Sequence, residues 1–321
     1  MTVTILNADV LDGLRSLPDD HFGVVVTSPP YWGLRDYGVD GQIGLEATPD
    51  AYVARLVEVF REVRRVLRDD GTLWLNLGDS YASNAKGSGG ATAKQATNAG
   101  AFYAPRKFNH GVKEKDLIGI PWRVAFALQA DGWYLRQDII WHKPNPMPES
   151  VRDRCTKAHE YIFMLSKSQR YYFDAEAIKE PVAESSVSRL SQPTLAQQAG
   201  SARVPGKTNG NMKAVGGSET RNRRSVWTVT TKPFKGAHFA TFPPELVRRC
   251  LQASLRPGDA VLDPFGGAGT TGLVADKFGA DCTLIEINPE YCNLIRSRLA
   301  SGLVQLDRPA EPTLATGGLF T

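Results

Sequence analysis

The stretch Asp259-Ala260-Val261-Leu262-Asp263-Pro264-Phe265-Gly266-Gly267-Ala268-Gly269-Thr270-Thr271-Gly272 decides how this chain folds. Ala260 to Leu262 is a short continuous apolar run, the pattern of a parallel strand buried on both faces. It ends on Asp263 and enters a glycine-rich turn, after which Thr270 to Ala280 reads as a helix. Cys282 to Ile287 then reads as a second strand, and Glu286 stands near its end, 23 positions after Asp263.

Gly267, Gly269 and Gly272 have the spacing GxGxxG. Glycines between a strand and a helix let backbone approach a ligand, the helix start offers amide donors, and an acid ending the next strand can take ribose hydroxyls. This is the layout of a nucleoside-cofactor site. The spacing alone fits a nicotinamide cofactor equally well, and it also fits a tight turn with no ligand. Asp263 separates these readings. An acid just before the glycines repels a pyrophosphate but suits an ammonium, which favours S-adenosylmethionine. On this reading Asp263 accepts the ammonium, Glu286 accepts the ribose, and Pro264, Phe265, Gly267, Gly269 and Thr270 line the turn. A nicotinamide enzyme would also need a hydride-transfer constellation, which the sequence does not offer.

A second candidate site lies far upstream. Gly23 to Thr27 is another buried strand, and it runs into Ser28-Pro29-Pro30-Tyr31-Trp32. Ligands of open α/β sheets bind beyond the carboxyl ends of strands. Two prolines fix the backbone so that the Ser28 hydroxyl and the Pro29 carbonyl can face one point, with an aromatic ring beside them. Two acceptors aimed at the hydrogens of an exocyclic amine would localise its lone pair, and Tyr31 would stack on the base. A structural Pro-Pro turn is the alternative reading.

Between these sites strands alternate with helices, which predicts a doubly wound, mostly parallel α/β sheet. Ala51 to Leu67 carries one apolar helical face, Gly71 to Asp79 and Thr2 to Asp9 read as strands, and Pro121 to Ala130 and Pro243 to Ala253 read as helices. Trp133 to Lys143 and Glu160 to Ser168 are expected as an antiparallel pair at the sheet edge. Residues 82–113 are rich in Gly, Ala, Ser and Asn, with five basic residues and no acid, and read as a loop or lid. Pro181 to Ser225 is polar and carries seven basic residues against two acids, while the whole chain has a net charge of only +4. Both segments are candidates for polyanion contact. Arg136, His142, Lys143, Arg152 and Arg154 flank the later strands as candidate phosphate holders, and Arg221, Arg223 and Arg224 stand in the basic segment.

The 321 residues, 42% hydrophobic, suffice for one large α/β core with an insert. Cys155, Cys250, Cys282 and Cys292 form no CxxC pair, so reduced thiols and no metal are expected. No apolar run has the length of a membrane span, and Met1 to Val10 lacks the pattern of a signal peptide, so a cytoplasmic location is expected.

Thr27-Ser28-Pro29-Pro30-Tyr31-Trp32 resembles the catalytic motif of amino-methyltransferases, (S/D/N)PP(Y/F/W). Asp263 to Thr271 resembles their cofactor motif, and His238 to Leu246 resembles the segment before it, which adds His238, Thr241 and Phe242 to the expected cofactor residues. A catalytic motif placed early and a cofactor motif placed late is the order of the β class of bacterial and phage DNA amino-methyltransferases, a circularly permuted Rossmann-like fold. The resemblance covers roughly residues 1–180 and 227–300. It implies a catalytic half at 1–180, an inserted target-recognition region at 181–226, a cofactor half at 227–300 and a tail at 301–321. The permutation asks the N-terminal strand to serve as third strand of the cofactor half, and Asp9 at its end resembles the acid that binds the adenine amine. An ordinary helix cap is the other reading of Asp9.

The reaction implied is methylation of a flipped-out base in double-stranded DNA, with S-adenosylmethionine as donor. Serine at the first motif position is associated with cytosine N4 and aspartate with adenine N6, so cytosine is preferred and adenine stays open. Enzymes acting on protein glutamine or RNA share the motif, usually with Asn first, and an inactive DNA-binding homologue is a further alternative. No Pro-Cys nucleophile is present, so ring-carbon methylation is not expected. The resemblance also leaves open a restriction–modification system with a cognate restriction endonuclease, and a monomer or homodimer.

Overall fold

The computed structural model describes residues 2–34, 38–82, 111–182, 187–188, 192, 220–231 and 243–302. In chain order the elements are β1 (Val3–Asn7), α1 (Val10–Arg15), β2 (Phe22–Thr27), α2 (Pro49–Val66), β3 (Leu67–Leu77), α3 (Ile120–Ala130), β4 (Tyr134–His142), β5 (His159–Ser166), β6 (Glu180–Pro181), β7 (Thr220–Arg221), β8 (Val226–Thr228), α4 (Pro244–Ser254), β9 (Ala260–Asp263), α5 (Thr270–Phe278), β10 (Cys282–Glu286) and α6 (Pro289–Ser301). Eight strands form one sheet in the order β1-β10-β9-β2-β3-β5-β4-β8. All neighbours are parallel except β5, which runs against both β3 and β4. The expected doubly wound, mostly parallel sheet is therefore the observed one.

The permutation has a direct physical expression. Val3 to Asn7 pair in parallel with Cys282 to Glu286 in unbroken register, so the N-terminal strand completes the sheet beside a strand nearly 280 residues away. The apolar run of β2 is buried along its whole length, as a strand between β9 and β3 must be. Thr48 caps α2, accepting from Ala51 N at 3.1 Å, and Pro49 opens the helix without losing a hydrogen bond. Its apolar stripe of Tyr52, Leu56, Val59, Phe60 and Val63 is fully buried in the core.

Two expectations are corrected here. The β4/β5 pair is antiparallel but is not the sheet edge, because β8 adds in parallel to β4 through Val226, Trp227 and Thr228. A three-residue strand carries no periodicity to read. Strand β3 also starts at Leu67, earlier than the Gly71 start expected. Its polar opening is held at the far edge of the sheet by Arg256, which reaches Asp70 at 2.7 Å and Asp259 at 3.1 Å, and by Arg68, which reaches Asp259 at 3.1 Å.

The chain divides into two compact units, Met1–Tyr172 with Val226–Thr321, and Phe173–Ser225. The second unit therefore begins earlier than the insert expected at 181–226. Its described part includes a two-stranded antiparallel ladder of β6 and β7, pairing Glu180 with Arg221 and Pro181 with Thr220. In the first unit the ends of the expected lid are tied together, since Ala82 N donates to Asp116 O at 2.8 Å and Lys115 N to Ala82 O at 2.7 Å. Most of that lid, most of the expected insert and most of the expected tail lie outside the described residues. Cys250, Cys282 and Cys292 are buried and unpaired, and Cys155 is exposed. No helix among the described residues is long and apolar enough to cross a membrane.

Candidate active site

Parallel strands deliver their carboxyl ends to one edge of the sheet. Strand β5, running the other way, delivers its amino end to the same edge, which places His159 and Glu160 beside the ends of β2 and β3.

The glycine turn after β9 lies at this edge. Gly269 ends it with φ of +75° and serves as the residue before α5. A side chain there would be strained and would also meet Ile295 Cγ2 at 2.7 Å. At Gly272 an added Cβ would come within 3.0 Å of Leu284 and Val3, so this glycine sets the close packing of α5 on the sheet. Pro264 and Thr270 are buried and Phe265 is half-buried along the turn. Glu286 ends β10 with 8% exposure, and burial raises its pKa. Its Oε2 accepts from Gly267 N at 2.7 Å and its Oε1 from Asn288 N at 2.8 Å. A carboxylate has about four acceptor positions, so capacity remains for a ligand hydroxyl.

Asp263 does something other than expected. It is 1% exposed. Its Oδ1 accepts from Thr27 Oγ1 at 2.7 Å and from Phe265 N at 3.1 Å, and its Oδ2 accepts from Thr271 Oγ1 at 2.7 Å. The carboxyl is an internal latch that joins the end of β2, the glycine turn and the first turn of α5. In place of the expected ammonium, its oxygens hold two threonine hydroxyls and a backbone amide, and these contacts are those of a tie that shapes the turn. Burial, only partly offset by the two threonines and the amide, pushes its pKa up to about 7. The unfolded value is about 3.9. The folded chain therefore holds a proton that the unfolded chain has lost, and the stability from this group is complete below about pH 4 and is lost as pH rises to about 7. Asp263→Asn, which cannot ionise, is expected to remove that slope. Urea denaturation at pH 5 and pH 8 tests this: the variant should gain on wild type at pH 8, and an unchanged difference between the two pH values would refute it.

Asp9 lies just past the end of β1, where Ala8 N bonds to Glu286 O at 3.3 Å. Its Oδ1 accepts from Leu11 N at 2.9 Å and caps α1, as the cap reading expects. His238, Thr241 and Phe242 lie outside the described residues.

The second site sits at the end of β2. Pro29 is buried, Ser28, Pro30 and Tyr31 are half-buried, and the Pro30 carbonyl is fixed by the hydroxyl of fully buried Tyr52 at 2.9 Å. Gly78 gives the Tyr31 ring its place, for an added Cβ would meet Tyr31 Cε2 at 2.5 Å. Ser28 Oγ lies 3.5 Å from Tyr31 Oη and 3.4 Å from Asn76 Oδ1. Tyr31 Oη donates to Glu160 Oε2 at 2.6 Å. Asn76 Nδ2 donates to Tyr161 O at 3.0 Å and to Glu160 Oε2 at 3.2 Å, which turns its Oδ1 toward the Ser28 and Tyr31 hydroxyls. Lys143 Nζ pairs with Glu160 Oε1. Burial, and then the Glu160 charge, raise the Tyr31 pKa well above its ordinary 10, so the phenol stays protonated. Close by, Lys157 donates to Asp79 O at 2.6 Å and has its pKa lowered by burial.

Asn76, Glu160 and the role of Lys143 were not visible in the sequence. Asn76 interrupts an apolar strand, which was the one available signal. Glu160 has no local signal, because only the reversal of β5 brings it to this edge. Lys143, expected on a phosphate, is instead ion-paired inside the site. Of the other expected DNA-facing residues, Arg152 is exposed, Arg136 donates to Tyr171 Oη at 3.1 Å, and Arg154 pairs with Glu149 at 2.5 Å and lies 3.9 Å over the Tyr81 ring. In the second unit, Arg221 and Arg224 share Glu180 Oε1 at 3.0 and 2.6 Å, and Arg223 donates to Ile178 O at 2.7 Å. These arginines are engaged in their own fold, which the charge count did not reveal.

A family model described as DNA methylase matches residues 22–297. The type II methyltransferase M.Cfr9I of Citrobacter freundii is 50% identical over 92% of this chain and 87% of its own length. Among solved structures, the PvuII DNA methyltransferase, described as cytosine-N4-specific, matches with a TM-score of 0.62 at 19% identity, over 96% of this chain and 89% of that one. M1.HpyAVI, solved as a complex with S-adenosylmethionine, matches with a TM-score of 0.50 at 16% identity, over 93% of this chain and 100% of that one. These two share its fold.

Proposed function

The chain belongs to the N6/N4 DNA methylase family, and on that premise we propose that it methylates the N4 amine of cytosine in double-stranded DNA, using S-adenosylmethionine. The observation that carries this reading is the shared sheet edge: the Ser28–Tyr31–Asn76 hydroxyl and amide cluster ends β2 and β3, and the glycine turn with Glu286 ends β9 and β10. The residues fit the cofactor. Gly267 and Gly269 let backbone come close, and Glu286 is a buried carboxylate with acceptor capacity to spare for ribose hydroxyls. Asp9, Pro264, Phe265 and Thr270 border the same turn. When bound, S-adenosylmethionine supplies a methyl group on a sulfonium that leaves as a neutral thioether.

The chain's own residues bind and orient. Ser28 accepts one hydrogen of the base amine, and the Pro29 carbonyl takes the other. Tyr31 stacks on the base, at a gain of roughly 1–3 kcal/mol. No covalent bond to the protein is needed, and rate comes from positioning and electrostatics. The serine, neutral at the first motif position, supports cytosine over adenine. Arg136, Arg152, Arg154 and Arg224 are proposed on phosphates, and a cognate restriction endonuclease is the partner this reading implies.

Sequencing DNA from cells that express the protein, with modified-base detection, is expected to show 4-methylcytosine at one short site. Finding 6-methyladenine there would overturn the choice of base, and unmodified DNA would overturn the reading. Glu286→Ala is expected to weaken S-adenosylmethionine binding about 10- to 100-fold, the worth of a charge-assisted hydrogen bond of about 1.5–3 kcal/mol. Calorimetric titration checks it, and equal affinity would remove Glu286 from the site.

A further inference from the structure

Glu160 contributes a negative charge to a place where the proposed reaction must dispose of a positive one. Its side chain is 15% exposed, and Lys143, itself 19% exposed, is paired with Oε1. Oε2 accepts from the Tyr31 hydroxyl and from Asn76 Nδ2, so both carboxyl oxygens face donors. The Tyr31 hydrogen is therefore committed to Glu160 Oε2 at 2.6 Å. That leaves the Tyr31 oxygen with lone pairs, and Ser28 Oγ, 3.5 Å away, can donate into them. The Ser28 oxygen then has its own lone pairs turned outward to accept from a substrate amine. Every donor in the row points the same way, from Ser28 to Tyr31 to Glu160. Asn76 Nδ2 is spent on Tyr161 O and Glu160, and its Oδ1, 3.4 Å from Ser28 Oγ and 3.3 Å from Tyr31 Oη, stands as a second acceptor beside the row.

We propose that Ser28, Tyr31 and Glu160 form a proton relay, in which Glu160, paired with Lys143, receives the proton that the base amine must lose. This rests on the amine-methylation reading above. An amine that gains a methyl cation while keeping both hydrogens carries one proton too many. The nitrogen gives that proton to Ser28 Oγ, Ser28 passes its own hydrogen to Tyr31 Oη, and Tyr31 passes its own to Glu160 Oε2. Both hydroxyls end neutral as they began, the amine ends neutral with one hydrogen and one methyl, and Glu160 ends as a carboxylic acid that later returns its proton to water. The high pKa of Tyr31 suits a hydroxyl that relays without ionising. Glu160 does not touch the base on this scheme, so it acts through Tyr31.

The test uses full-length protein with Glu160→Ala and Glu160→Gln, the second isosteric in case the first folds poorly. Wild type is first shown to methylate duplex DNA; if it does not, the function reading fails and the relay with it. Given an active wild type, both variants are expected to lose roughly 10²-fold in kcat, the usual scale of a lost general base, with KM for DNA and calorimetric affinity for S-adenosylmethionine held within about two-fold. Formate and acetate added to Glu160→Ala are expected to restore rate in the order of their basicity. Tyr31→Phe is expected to be as slow, and to gain nothing from either acid, because the link between base and carboxylate is gone. Glu160 variants that keep wild-type kcat, lose rate only through KM, or respond to neither acid would show that Glu160 only packs against Tyr31, and the relay would be wrong.

Discussion

Ser28→Ala is expected to reduce methyl transfer by about 10²- to 10³-fold while leaving S-adenosylmethionine affinity unchanged, the range observed when one preorganised hydrogen-bond group is removed from a reacting centre. Ser28 sits at the end of β2, half-buried, between Tyr31 Oη at 3.5 Å and Asn76 Oδ1 at 3.4 Å. Nothing in the glycine turn or at Glu286 depends on its hydroxyl, so binding of the cofactor should survive. The base amine gains positive charge as the methyl arrives, and an acceptor in place at that moment helps the transition state more than the ground state. The loss should therefore appear in kcat. Tyr31→Ala should add a loss of DNA-dependent affinity, because the stacking surface goes with the hydroxyl. Single-turnover rates with saturating cofactor decide the matter. A normal rate for Ser28→Ala would mean that the Pro-Pro segment is a structural turn and that the amine is held elsewhere.

Asp263→Ala is expected to be among the most destabilising single changes in the first unit, by on the order of 3 kcal/mol. The carboxyl is the common acceptor for Thr27, Thr271 and the Phe265 amide, all in the interior. Its removal leaves a buried amide unsatisfied, at about 1–3 kcal/mol, and two hydroxyls that can only partly turn to other partners. Thr271 keeps a longer alternative at Val26 O, 3.3 Å away, whereas among the described residues the Thr27 hydroxyl bonds to Asp263. Asp263→Asn keeps an oxygen acceptor and the shape, and should lose much less. A urea midpoint, read together with cofactor titration of the folded fraction, separates the latch from direct ligand contact. If Asp263→Ala folds as stably as wild type and loses only cofactor affinity, Asp263 would be a ligand-facing group after all.

The contrast between those two acids shows where sequence reading reached its limit. Asp263 and Glu286 were both legible as chemistry-bearing positions, because strand ends and glycine turns fix where an acid will sit. What each carboxylate faces depends on neighbours from remote segments. Thr27, more than 230 residues upstream, turns Asp263 inward, while Gly267 and Asn288 leave Glu286 with room at the edge. The basic residues failed for a related reason. A count of arginines is a composition, but Glu180 gathers Arg221 and Arg224, and Glu160 gathers Lys143, only after strands have paired.

By itself the sequence determined the sheet, the permuted order and the two motifs. Buried parallel strands must be continuously apolar, helices must carry one apolar stripe, and turns that approach a ligand must carry glycine, so these features are written locally. The parallel pairing of β1 with β10 followed from the same logic, since a cofactor half lacking its third strand can be completed by a strand from the other end of the chain. Only the tertiary structure decided the layer behind the catalytic motif. Asn76 and Glu160 are brought to Ser28 and Tyr31 by the pairing of β3 with a reversed β5, with Asn76 opposite Ile162 and Leu77 opposite Tyr161. Strand direction is set by connections and by competition among all possible edges. No residue within Glu160-Tyr161-Ile162 encodes it, and so the carboxylate nearest the reacting groups was the one the sequence could not place.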